Sequence, residues 1–344
     1  MAAADDDPVA FRLRSQLLSG RPARTVDDVV AHLLAVQAQD GRGARLAVRA
    51  RSAGFGATAV DDALAAGRLV VSTLNRGTLH LVTAADYRWL HPLTTPQLAT
   101  GNVRRLRQEG VDATQAERGV GVVAAAVAEG PQTRAMLKEK LDGAGVPTAG
   151  QALVHVVFAA TLEGLVVRGP MLGTDHAFVA VDQWLGPPPP PLDEDDALAT
   201  LANRYLVGHA PAGAEDLAKW AGITLAKARR ALAAVPPARP RRRPALPGPR
   251  LLGPFDPLLH GWVSRTPVVG PHRSVVTVNG IFRPIALVGG RVVATWSLPA
   301  GTVTLAPLES IADRDLTGLA TDADDVLRYL GLPARPMEVV PVRR

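Results

Sequence analysis

Arg68-Leu-Val-Val-Ser-Thr-Leu-Asn-Arg-Gly-Thr-Leu-His-Leu-Val82 decides how the first part of this chain folds. Both halves of the run are rich in aliphatic and β-branched residues, and Asn75-Arg76-Gly77 supplies the residue types that turn one strand back on the other. Upstream lie three helical patterns and a further one from Thr58 to Gly67. Helices followed by a hairpin are the outline of a winged helix. The stretch from Thr25 to Val36 reads as an amphipathic helix, capped by Thr25 with Asp27 and Asp28 in its first turn. Where it ends stands Gln37-Ala38-Gln39. Two amides spaced by two share a side only on extended backbone, because on a helix they diverge by about 200°. Such a pair can hold one water between two carbonyl oxygens, which suits hydrolysis of a bond whose leaving group needs little help. Alone, it reads as a polar helix end without function.

A similar order recurs downstream of a linking helical stretch, Ala84 to Gln108. Helices are expected over Thr114–Glu129, Thr133–Leu141 and Thr148–Leu162, then a hairpin from Leu165–Pro170 and His176–Val181. Three more helical patterns, Leu192–His209, Ala214–Trp220 and Thr224–Ala234, have a helix-turn-helix cadence with Gly222 at the turn, but no obvious wing. Pro187–Pro191 reads as a stiff connector, and Pro236–Pro249, with Arg239, Arg241, Arg242 and Arg243, as a Pro/Arg linker that is either a solvated loop or an arm for phosphates. Beyond Leu251, strands at Ser274–Val278, Pro284–Val288, Val292–Trp296 and Val303–Pro307 make a small antiparallel sheet or barrel, with a helix near Asp322–Leu330 and a last strand, Met337–Val342. The expected class is therefore α+β, divided at 1–110, 111–186, 192–250 and 251–344.

Bulk properties narrow the chemistry. With 344 residues and 47% hydrophobic content, the chain can bury substantial cores. It has no cysteine, which excludes disulfides, thiolate catalysis and cysteine-ligated zinc. The eight histidines show no HxH or HExxH spacing, so neither a metal nor a cofactor is expected. Walker, GxGxxG and GxSxG motifs are absent too. No stretch reads as a signal peptide or membrane span, so a cytoplasmic protein is expected. Lysine and arginine number 38 against 32 acidic residues, a net charge of +6 with a pI near 10.2. That excess, nearly all arginine, suits a polyanionic partner, although a GC-rich genome writing Arg for Lys produces the same balance.

Four segments together resemble the winged-helix family of AlkZ-type and YcaQ-type DNA glycosylases, which act on alkylated and interstrand-crosslinked DNA. They are Val36-Gln-Ala-Gln-Asp40, like that family's Gln-apolar-Gln motif, Leu74-Asn-Arg-Gly-Thr-Leu-His-Leu-Val82, Glu215-Asp-Leu-Ala-Lys-Trp-Ala-Gly-Ile223 and Leu251-Leu-Gly-Pro-Phe-Asp-Pro-Leu-Leu-His260. The second glutamine, aspartate in YcaQ-type members, places the chain nearer the AlkZ type. The resemblance implies tandem winged helices in a C shape around a duplex, followed by a small β domain, with Gln37 and Gln39 as the catalytic pair. It implies a monofunctional, monomeric glycosylase that excises N7-alkylated purines from double-stranded DNA. Such purines are cationic and leave readily, so neutral amides suffice, and no lysine accompanies the glutamines to support lyase chemistry. Arg45, Arg76, His80 and Arg265 are expected at the DNA, with Thr78, Asp256 and His260 lining the pocket or holding structure. Asp256 and His260 would orient each other or an arginine such as Arg265. The competing reading is a non-catalytic winged-helix regulator, which has no need of two inward amides.

Overall fold

The computed structural model describes residues 8–236 and 243–341. The first seven residues, Arg239, Arg241 and Arg242 of the linker and the end of the expected last strand at Val342 lie outside them. In chain order the elements are α1 (Val9–Ser15), α2 (Val26–Leu33), β1 (Val36–Gln37), α3 (Gly41–Arg49), α4 (Thr58–Ala65), β2 (Leu69–Leu74), β3 (Thr78–Thr83), α5 (Ala84–Thr94), α6 (Ala99–Gln108), α7 (Ala113–Ala128), α8 (Arg134–Gly143), α9 (Ala152–Leu162), β4 (Val166–Leu172) and β5 (Asp175–Ala180). They continue as α10 (Val181–Leu185), α11 (Glu194–His209), α12 (Ala214–Ala221), α13 (Leu225–Ala233), β6 (Arg250–Leu252), α14 (Thr266–Val269), β7 (Ile285–Val288), β8 (Arg291–Ser297), β9 (Thr304–Pro307), α15 (Asp313–Tyr329) and β10 (Glu338–Val339). The fold is mixed α+β. The chain divides into two compact units, one of Met1–Val60, Ala199–Trp220 and Thr224–Arg344, the other of Asp61–Leu198 and Ala221–Ile223.

In the second unit, strands β3-β2-β4-β5 form one antiparallel sheet. The two hairpins that the sequence suggests as separate wings meet edge to edge, with Val71 opposite Arg168. The β2–β3 register sets Ser72 opposite His80 and Leu74 opposite Thr78, and the turn relies on left-handed backbone at Asn75 and Gly77. Helices α6 to α9 bury Leu106, Val123, Leu137, Leu141 and Val156 against Val166 and Phe178. At Gly119 in α7 a β-carbon would lie 2.7 Å from Val156, so α7 and α9 touch there almost backbone to side chain.

In the first unit, Thr25 caps α2 by accepting from the Asp28 amide, as its sequence suggests. A C-terminal sheet ordered β10-β9-β8-β7-β6 carries α15 on Leu319, Ala323 and Val326. Three expectations need correction here. Ser274–Val278 is not a strand: Arg273–Val275 forms a 3-10 turn that seats Val275 in the core, and a single bridge, Val276 to Phe282, is all the pairing it makes. The sheet is not wholly antiparallel, because β10 runs parallel to β9. Finally, α15 starts at Asp313 rather than near Asp322, since its buried stripe reaches back to Leu319.

Candidate active site

Helix α2 stops at Leu34, whose φ of 67° breaks the helical path, and the next residues run extended through β1. Gln37 is therefore on extended backbone and is 7% exposed, whereas Gln39 lies at the surface. The Oε1 of Gln37 is buried and accepts no hydrogen bond from any described residue. A buried acceptor without a donor costs about 1–3 kcal/mol, and such atoms call for an explanation such as a water or a reacting group. Directly afterwards Asp40 accepts from the Gly43 amide at 2.6 Å and starts α3.

Helix α3 is fixed at each end by the C-terminal sheet domain. At its start, a β-carbon on Gly43 would sit 2.5 Å from the carbonyl oxygen of Pro254, and one on Gly253 would sit 2.8 Å from Cβ of Leu46. The segment before Phe255 thus lies against the helix as closely as backbone allows. Leu46 joins the core formed with Leu251, Trp296 and Val326. At its far end, Arg49 donates to Leu251 O at 2.7 Å, to Asp322 at 2.8 Å and to Asp325 at 3.0 Å. Burial opposes the charge of Arg49, but the two carboxylates outweigh it and raise its pKa above the usual arginine value. Arg51, just beyond, grips both oxygens of Asp256 at 2.9 and 2.8 Å, with Ala47 O and Gln16 Oε1 as further acceptors, and neither partner of the pair is exposed at all. Asp256 also accepts from the Leu258 amide at 2.9 Å.

Asp256 accordingly pairs with Arg51, not with Arg265 or His260. The latter two meet elsewhere, around Phe282: the His260 ring lies 3.9 Å from it, centre to centre, and the Arg265 guanidinium lies 5.1 Å from its centre. Phe255 stacks nearly parallel to His260 at 6.2 Å. All four side chains are half-buried. Phe255 holds φ at 56°, a conformation that costs a bulky residue on the order of 1–3 kcal/mol. Arg45, in α3, is half-exposed and returns one hydrogen bond to Gly41 O at 2.8 Å.

In the second unit, Arg76 projects from the β2–β3 turn, exposed as its sequence position implies. His80 behaves otherwise. It is 4% exposed, its Nδ1 donates to Thr78 O at 2.8 Å, and burial, aided by the charge of Arg76, pushes its pKa down to about 4. It is neutral near pH 7 and offers a phosphate no cation. Thr78 is half-buried beside it, with Oγ1 inside. Sequence reasoning overlooked Asn75, whose amide is fully buried with neither polar atom bonded to a described residue. The left-handed Gly222 sits on that turn, where a β-carbon would come within 2.9 Å of Asn75 O. The Asn-x-Gly turn signature was the available clue to Asn75, and the two glycines flanking Arg42 were the clue to close packing on α3.

Among the described residues no cluster of three or more histidines and acids could hold a metal, and no helix is long and apolar enough to cross a membrane. Compared with known proteins, the chain is 25% identical over 365 residues to an interstrand DNA cross-link repair glycosylase of Streptomyces sahachiroi, a match covering 96% of this chain and 98% of that one. The solved structure of the DNA glycosylase AlkZ from the same organism superposes with a TM-score of 0.79 at 24% identity, covering 99% of this chain and 100% of its own. The family model for AlkZ-like DNA glycosylases matches residues 30–329. With its glutamine pair, its two hairpins and strands β6 to β9 of its C-terminal sheet inside that span, the chain belongs to the AlkZ-like family of DNA glycosylases.

Proposed function

We propose that this protein hydrolyses the N-glycosidic bond of N7-alkylated purines in duplex DNA, bulky adducts and interstrand cross-links among them. In this reading the described hairpins are wings of tandem winged-helix units, divided as the sequence suggests, and a monomer suffices. The observation that carries the proposal is the buried, unbonded Oε1 of Gln37 on extended backbone two residues before the surface amide of Gln39. That oxygen can accept from a water it orients, or face the positive charge that develops on the sugar. Water oxygen bonds to C1′ as the C1′–N9 bond breaks. The electron pair of that bond passes to the purine and cancels its charge, and the surplus water proton leaves to solvent. Neither amide has to ionise, so selectivity for cationic bases follows from mild catalysis.

The test is release of 7-methylguanine from methylated duplex DNA by wild type, Gln37→Ala, Gln39→Ala and the double variant. A loss of about 10²-fold or more in each single variant, with DNA affinity retained, is the expected result. If wild type and the double variant are equally inert on several N7 adducts while both bind DNA, the protein is a binding module instead.

A further inference from the structure

We propose that Phe255, His260, Phe282 and Arg265 form a platform for one unstacked nucleotide of the DNA substrate, the base lying on the half-exposed rings and its phosphate on the guanidinium. The inference rests on the glycosylase reading for the identity of the nucleic acid. Its physical basis is separate. Three π-faces stand within 6.2 Å of one another, ring centre to ring centre, and none is fully buried. Arg265 is held above Phe282 and spends one hydrogen bond, from Nε to Leu259 O at 3.3 Å. No described carboxylate comes within ion-pair distance of it, unlike Arg49 and Arg51, so its two outer nitrogens keep their donors for an acceptor from outside. Guanidinium donors match phosphate oxygens in pairs, and any base can stack on an aromatic face.

Position adds a reason. Phe255 follows Pro254, whose carbonyl rests against Gly43, four residues past Gln39. The platform is thereby tied to the helix that begins at the proposed catalytic pair, within one compact unit. Phe255 itself holds left-handed backbone, and its half-buried ring lies nearly parallel to that of His260. A nucleotide displaced beside the lesion, or the lesion itself once unstacked, needs such a surface.

Binding can be read without catalysis. The full chain is titrated with a fluorescein-labelled single-stranded tetranucleotide at several salt concentrations, and the fold of each variant is followed by thermal denaturation. Phe255→Leu should weaken binding about tenfold with an unchanged salt slope, and Phe255→Trp should restore it, because a larger face stacks better while a packing role would not tolerate the swap. Arg265→Gln should weaken binding and lower the log-log slope by about 0.7, the value for one phosphate of a single strand. Gln37→Ala should leave these affinities unchanged. Wild-type affinity in Phe255→Leu, an unchanged slope in Arg265→Gln, or failure of Phe255→Trp to recover binding in a folded protein would overturn the platform. Failure of the glycosylase reading appears instead as absent base release by the wild type, whatever the binding curves show.

Discussion

Replacing Gly43 by alanine adds one methyl where α3 meets the carbonyl of Pro254. The new carbon would lie 2.5 Å from that oxygen and 3.0 Å from Pro254 Cγ. Restoring an ordinary contact of about 3.4 Å requires a displacement of roughly 0.9 Å. Pro254 has little room to yield, because Gly253 behind it already touches Leu46 and Asp256 beyond it is locked to Arg51. The helix start must therefore move, and with it Asp40 and Gln39. The stability cost is modest: overpacking takes about 1–3 kcal/mol, and replacing a helical glycine returns about 0.5–1 kcal/mol. If the glutamines position water as proposed, the rate should suffer more, since about 1 Å of misplacement in such a group costs on the order of 10²-fold. Single-turnover release of 7-methylguanine, beside duplex affinity and melting temperature, separates these effects. The control is Gly41→Ala, one residue from the cap, where the nearest atom is the flexible tip of Arg45 at 3.4 Å. Near-normal excision by Gly43→Ala, or an equal loss in Gly41→Ala, would refute the idea that this contact sets the glutamines.

Further outcomes are expected. Asp256→Asn or Arg51→Met alone leaves an uncompensated buried charge or polar group and should cost roughly 3–5 kcal/mol in chemical denaturation, whereas Arg51→Met with Asp256→Leu should recover much of it. His209 is wholly buried among Tyr205, Trp220 and Trp262, and burial, with smaller contributions from Arg51 and His32, pushes its pKa down to about 3. His80 lies near 4. Both imidazoles bind protons more readily in the unfolded chain, so their stabilising effect is complete above pH 6.5 and is lost as pH falls from there towards 4 and 3. Each contributes at most about 1.4 kcal/mol per pH unit, and urea midpoints taken from about pH 7 to pH 5 should show a shallower decline in His209→Phe. Arg76→Ala should reduce the salt slope of duplex binding by about 0.9, one phosphate, with little sequence dependence; an unchanged slope would remove Arg76 from the DNA.

What could be read from the chain was local. The Thr25 cap, the Asn75-Arg76-Gly77 turn and the extended backbone at Gln37 each follow from a few neighbouring residues. Errors arose where distant partners overrule propensity. Ser274–Val278 has the side chains of a strand but lacks a ladder to join, so the demand of the core for Val275 wins. The front of α15, Asp313 to Thr321, looks like a loop because threonine, glycine and aspartate are poor helix formers, yet Leu319 and Ala323 draw it onto the sheet. The candidate site was half legible for the same reason. The extended backbone of its glutamines is a local signal, weak when taken alone, but Arg51 and Asp256 are 205 positions apart, and nothing near either names the other. The four-way meeting of Phe255, His260, Arg265 and Phe282 likewise exists only once β7 and the turn before it are folded.

The anchoring of Arg49 to Asp322 and Asp325 bears on how such an enzyme can be dissected. A fragment ending after the first hairpin would contain every glutamine of the motif and still lack the carboxylates, the Leu251 carbonyl and the Pro254 wall that shape the helix behind it. Minimal versions made by trimming the tail, and chimaeras that graft the N-terminal hundred residues onto another scaffold, are therefore expected to be inert. An engineer wishing to vary lesion preference would do better to exchange the two ends of the polypeptide together.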